Sequence, residues 1–119
     1  MEISELQQQV VVEICQIMTT AWDAIELHYE DGIVDGHQRT VYKAFYFEGG
    51  VKVQFGLSGK CHQLLFELGD RKVENCAEGW TWFDLRVDNT GKYGFDFGYD
   101  TPRLLKREIE LFEKYPEEK

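Results

Sequence analysis

The sequence predicts an α+β domain, an antiparallel sheet of about five strands with N-terminal, middle and C-terminal helices packed on it. Three observations carry this prediction. Apolar residues recur at helical spacing near both ends of the chain, and period-two alternation fills much of the middle. Short Gly- and Asp-containing turns separate the alternating runs, where a parallel sheet would need long crossovers. The 119 residues form one domain, long enough to bury a core without covalent staples.

In chain order, Ser4 with Gln7 three residues on resembles a capping box. Leu6, Val10, Ile14, Ile17 and Ala21 follow at helical spacing, with Val11 and Met18 widening the stripe. Gln7, Gln8, Gln9, Glu13 and Gln16 supply the wet side, so a helix is expected over 4–21 with Trp22 near its end. From Ile25 the period becomes two. Ile25, Leu27 and Tyr29 alternate with Glu26, His28 and Glu30 as a short strand, and DGIVDGHQ after it has the composition of a loop.

Two further strands, Arg39 to Glu48 and Val51 to Leu57, flank Gly49-Gly50, which suits a type I′ hairpin turn. A two-residue loop pairs Tyr46 with Val53; a bulged one pairs Phe47 with Val53. Tyr42 and Tyr46 on one side of the strand and Phe45 and Phe47 on the other suggest cover on both faces. From Ser58 to Gly79, Leu64, Leu65 and Leu68 fit a helical face that Ser58 could cap. Gly69-Asp70 interrupts it before Val73, Cys76 and Ala77, so a broken or kinked helix is expected, with a strand at His62 to Leu68 as the alternative.

Trp80 to Asp100, WTWFDLRVDNTGKYGFDFGYD, reads as a hairpin closed at DNTG by a type I turn and a left-handed Gly91. Pairing outward sets Val87 beside Tyr93, Leu85 beside Phe95 and Phe83 beside Phe97, an apolar face. The other face carries Trp82, Asp84, Arg86 and Asp88, opposite Lys92, Gly94, Asp96, Gly98 and Asp100. Thr101-Pro102 then opens a terminal amphipathic helix to Lys114, with Tyr115-Pro116 as its stop.

Lys and Arg total 13 against 22 Asp and Glu, a formal charge of -9. That field repels nucleic acid and anionic membrane and attracts basic partners, so direct binding of DNA or RNA is not expected. Cys15, Cys61 and Cys76 are odd in number and lack CxxC spacing, which suits reduced thiols. MEISELQQQ lacks the apolar segment of a secretory signal and no run has the length of a membrane span, so a cytoplasmic location is expected.

No metal-ligand spacing, nucleophile motif or phosphate-cradling loop is present, so no catalytic residue, metal or cofactor is assigned. His28, His37 and His62 suit surface or satisfied histidines. The acidic side of the hairpin is the one constellation with chemistry to offer. Asp84 opposed to Asp96 could hold Mg²⁺ in a metal-dependent enzyme. The same carboxylates could mimic nucleic acid and fill the basic cleft of a nuclease, with Trp80, Trp82, Tyr93 and Tyr99 as anchor types. Tyr93 and Tyr99, however, share a face with Phe95 and Phe97, and core packing is expected for both.

The hairpin also resembles the YezG-like immunity (antitoxin) family. Its members carry Trp-Thr-x-(Phe/Leu)-x-Leu, then Asp-x-x-Gly-Lys-(Phe/Tyr), then Phe-Asp-(Phe/Tyr)-x-Tyr-(Asp/Glu). The matching positions are Trp80, Thr81, Leu85, Asp88, Gly91, Lys92, Tyr93, Phe95, Asp96, Phe97, Tyr99 and Asp100. The resemblance implies a non-enzymatic protein that binds and neutralises the C-terminal nuclease domain of a secreted toxin. The acidic face, rather than the motif, supplies the expected partner-binding residues: Trp82, Asp84, Asp96 and Asp100, with Glu26, Glu30 and Asp31 as a second acidic group. A generic acidic interaction domain with another basic partner is the alternative.

Overall fold

A computed structural model describes residues 3–18, 21–34, 37–75 and 80–106. In chain order these form α1 (Ile3–Ile17), β1 (Ala24–Val34), β2 (His37–Glu48), β3 (Val51–Gln54), α2 (Gly59–Asn75), β4 (Trp82–Asp88) and β5 (Tyr93–Gly98). The architecture is α+β. Its five strands form one antiparallel sheet in the order β3-β2-β1-β4-β5, so β1 is the middle strand. The predicted C-terminal helix falls mostly on residues 107–119, outside the described residues.

Both helices cover one face of the sheet. Leu6, Val10 and Ile14 of α1 are fully buried, spaced so that one stripe of the helix meets the core. Leu65 and Leu68 of α2 are buried in the same cluster. The sheet answers with Ile25, Leu27 and Tyr29 of β1, Ala44 of β2, and Phe83, Leu85 and Val87 of β4, all buried. Period two explains this set, because every second residue of a strand points to one face. Tyr29 stacks on Phe83 at 5.4 Å, and Trp80 meets Phe83 edge-on at 5.4 Å. Each such side chain contributes roughly 1.5–3 kcal/mol by leaving water.

The second hairpin has the expected register, and the first takes one of its two alternatives. Leu85 faces Phe95, Asp84 faces Asp96 and Trp82 faces Gly98, and Gly91 closes the turn at φ 90°. Tyr46 faces Val53, so the Gly49-Gly50 loop has two residues, with φ of 56° and 82° suited to a type I′ turn. Asp23 ties both turns to the start of β1. Its carboxylate accepts from Gly49 N at 3.0 Å and its carbonyl from Asn89 N at 3.1 Å.

Four expectations are corrected. The helix α1 stops at Ile17 rather than 21, and Ser4 lies inside its first turn. The expected loop from Asp31 is largely ladder: β1 runs to Val34 and pairs with β2 as far as Val34 opposite His37. Only Asp35 and Gly36 of that stretch lie outside the described residues. β3 ends at Gln54, with one further bond from Phe55 N to Ala44 O at 3.0 Å. Finally, α2 is continuous through Gly69-Asp70, and Ser58 Oγ accepts from Cys61 N at its start. Glycine costs a helix interior roughly 1 kcal/mol relative to alanine, too little to break a helix whose leucines are buried.

Candidate functional site on the outer face of the sheet

The sheet face away from the helices is concave. A cavity of about 770 Å³ is lined by side chains of β1, β2, β3, β4, β5 and the turn after β5. Alternation puts Glu26, His28 and Glu30 of β1 on this face, with His28 opposite Asp84 on one side and Lys43 on the other.

Residues 101–106 cover part of the face. Pro102 and Leu105 are buried, and the fully buried carboxylate of Glu30 anchors the segment. Its Oε1 accepts from Leu104 N at 2.8 Å and Leu105 N at 3.0 Å. Glu30 thus does for this turn what an N-cap side chain does for a helix, supplying an acceptor to otherwise unpaired backbone N–H groups. His28 continues the network, with Nε2 2.5 Å from Glu30 Oε2 and Nδ1 2.5 Å from Asp84 Oδ1. Asp84 is directly opposed to Asp96, a like-charge pair that repels unless compensated, and the imidazole lies against one member of it. Asp96 is exposed and has no hydrogen-bond or ion-pair partner among the described residues.

At the far end, the indole of Trp82 lies over Gly98 so closely that a β-carbon there would overlap the ring. Its Nε1 donates to Asp100 Oδ1 at 2.6 Å. That bond, chiefly, holds the Asp100 carboxyl below its ordinary range, with the Arg103 charge adding to it. Asp88 is also held low, first by the Thr90 hydroxyl and then by the Thr90 and Lys92 backbone N–H groups.

The expected partner-binding residues therefore divide. Trp82, Asp84, Asp96 and Asp100 share the outer face with Glu26, which is paired with Arg86 at 2.8 Å. Glu30 is on that face but wholly buried and engaged. Asp31 is 4% exposed and points to the helix side, because it is one residue out of phase with Glu30. The second acidic group is thus split across the sheet. Nor is the concave face a purely acidic plate, because β2, β3 and the final turn bring Lys43, Lys52 and Arg103 to it. Lys52 Nζ stands 4.2 Å over the Phe45 ring, a cation–π contact.

Among the aromatic anchor candidates, Trp80 is core. Tyr93 and Tyr99 are 42% and 52% exposed, although core packing was expected for both. β5 is one of the sheet's two edge strands, so no described strand lies on its outer side.

Sequence reasoning left His28 as a satisfied histidine and passed over Lys43, Phe45, Lys52 and Arg103. The local signal was the alternation that put His28 between Glu26 and Glu30; the missing piece was the pairing of β1 with β4. Among the described residues no three His, Cys, Asp or Glu side chains form a group able to hold a metal ion. Cys61 is buried and its thiol pushed up to about 12, by burial first and the Glu13 charge second. Burial also raises the thiol of Cys15, while Cys76 lies outside the described residues. No helix among the described residues is long and apolar enough to cross a membrane.

No protein-family model matches the chain, and no curated protein matches it.

Proposed function

We propose that this chain is a non-enzymatic immunity protein of the cytoplasm. It binds the C-terminal domain of a cognate secreted toxin, a basic nuclease, and neutralises it by covering the active or substrate-binding surface. The outer face of the sheet carries this reading. It is a concave, sheet-backed surface with Asp96 unpaired among the described residues, Asp84 opposite it, and Trp82 and Asp100 at one end. Side chains fixed on strands are pre-organised, so little ordering entropy opposes docking. The formal charge of -9 steers a basic domain toward the chain, and the aspartates give it a place to dock. The hairpin resemblance to the YezG-like immunity family points the same way.

Co-expression with a candidate nuclease toxin domain tests the proposal. Growth should be rescued and the two chains should co-purify. The double variant Asp84→Lys, Asp96→Lys should weaken binding at least tenfold, mainly through slower association, and flatten its salt dependence. Failure both to rescue growth and to co-purify would remove the immunity reading. Rescue with unchanged affinity in the double variant would move the interface to another face.

A further inference from the structure

The imidazole of His28 links β1 to β4 and, through Glu30, to the turn at residues 103–105. Each ring nitrogen lies 2.5 Å from a carboxylate oxygen, Nδ1 from Asp84 and Nε2 from Glu30. An ionised carboxylate only accepts, so both contacts are hydrogen bonds when both nitrogens carry protons, the imidazolium form. A neutral imidazole has one N–H and must give up one carboxylate.

The two carboxylates are not equivalent. Glu30 has a fully buried side chain that also accepts from Leu104 N and Leu105 N, whereas the Asp84 side chain is 48% exposed. A ring lone pair facing a buried carboxylate is far costlier than an exposed carboxylate that turns to water. Asp96, opposite Asp84, repels it once the imidazolium charge is gone.

We propose that His28 is a proton-controlled clasp on Asp84. Protonated, it holds Asp84 against β1. On losing the Nδ1 proton it keeps Glu30 through Nε2–H and releases Asp84 to the outer face. The other charges around the ring leave this outcome in place. Glu26, on the same strand, is tied to Arg86 of β4. Lys43 of β2, Lys52 of β3 and Arg103 of the final turn line the same cavity, and none of them takes the place of Asp84 or Glu30 at the ring.

With the clasp closed, His28 offsets Asp84 and the Asp84–Asp96 pair has one uncompensated charge; with it open, the pair has two. A basic group docking between them finds both carboxylates free only in the open form, so docking there expels a proton. That consequence rests on the outer face being the partner surface. The clasp itself is a property of the free chain.

NMR of the isotopically labelled full chain tests it in a pH series followed until the His28 ring has given up its proton. Three results are expected. His28 loses its proton from Nδ1, the Asp84 carboxyl signal moves with the same midpoint, and the Leu104 and Leu105 amides stay protected throughout. Loss from Nε2 first, or an Asp84 signal that ignores His28, overturns the clasp. Asp84→Asn should leave protection of those two amides within twofold of the unsubstituted chain. A tenfold loss would make Asp84 part of the anchor and overturn the assignment of roles. A working clasp without toxin capture would refute only the partner reading, and toxin capture without a clasp only this one.

Discussion

Gly69 of α2 faces the carboxylate of Asp31 on β1 so closely that a β-carbon on the glycine would sit 3.1 Å from Asp31 Oδ2. The buried acid on the strand beneath leaves little room for a side chain at this position of the helix. In an open helix Gly→Ala would stabilise by roughly 1 kcal/mol. Here Asp31 is 4% exposed and engaged by other groups, so it has little room to move. Gly69→Ala should therefore lower stability by about 1 kcal/mol net, once overpacking of roughly 1–3 kcal/mol is set against the gain. A urea titration that shows a stabilised variant would mean that Asp31 yields freely.

Trp82 and Gly98 make a second matched pair. Gly98→Ala should displace the indole from the sheet, break its bond to Asp100 and cost about 1–3 kcal/mol. Gly94→Ala, at a position where the added carbon meets nothing within 4 Å, should cost much less. Trp82→Ala should remove most of the penalty of Gly98→Ala, a coupling that a double-mutant cycle measures directly. Additive single effects would separate the two residues.

Alkaline pH should unfold the domain early. Burial pushes the Tyr29 hydroxyl from 10.0 to about 12, and the Cys61 thiol from 9.0 to about 12. The Asp31 charge and the neighbouring thiol add to the first, and a Thr40 hydrogen bond opposes it. Both groups ionise first in the unfolded chain. Their contribution is complete below about pH 9 and is lost as pH rises to about 12, at about 1.4 kcal/mol per pH unit for each group within its window. Urea midpoints at about pH 8 and pH 11 should differ accordingly. Equal midpoints would contradict the burial. The same cause makes Cys61 slow to react with thiol reagents in the folded state.

Leu105 is 2% exposed, on the turn that Glu30 holds. Leu105→Ala should cost about 2–4 kcal/mol if residues 101–106 fold together with the sheet. A cost below about 0.5 kcal/mol, within the range of ordinary surface substitutions, would show that the segment docks independently.

Both turns and the register of the second hairpin were legible in the sequence, because Gly49-Gly50 and Asp88 to Gly91 mark their own loops. The first hairpin was narrowed only to two registers, and the structure forms the one with the two-residue loop. The five strands were legible because alternation is local. The continuity of α2 was not, since Gly69 is a breaker by composition and its reason is Asp31, far away in the sequence. The site was half legible. Asp84 opposite Asp96 follows from one hairpin, but His28 meets Asp84 only through the pairing of β1 with β4. Lys43 and Lys52 similarly reach the face from the other half of the sheet. Burial of Glu30 needed the segment after β5, which no alternation in β1 announces.

The middle position of β1 bears on how the chain is made. During synthesis β1, β2 and β3 follow α1 from the ribosome and can pair at once, whereas the other edge of β1 waits for β4. Leu27 must wait for Leu85 until β2, β3 and α2 have all been translated. For that interval the nascent chain presents a long open strand edge, the kind of template that recruits other chains. The last elements to emerge thus close the edge that the earliest strand leaves open, and a ribosome stalled before Trp82 would display the protein in its most adhesive form.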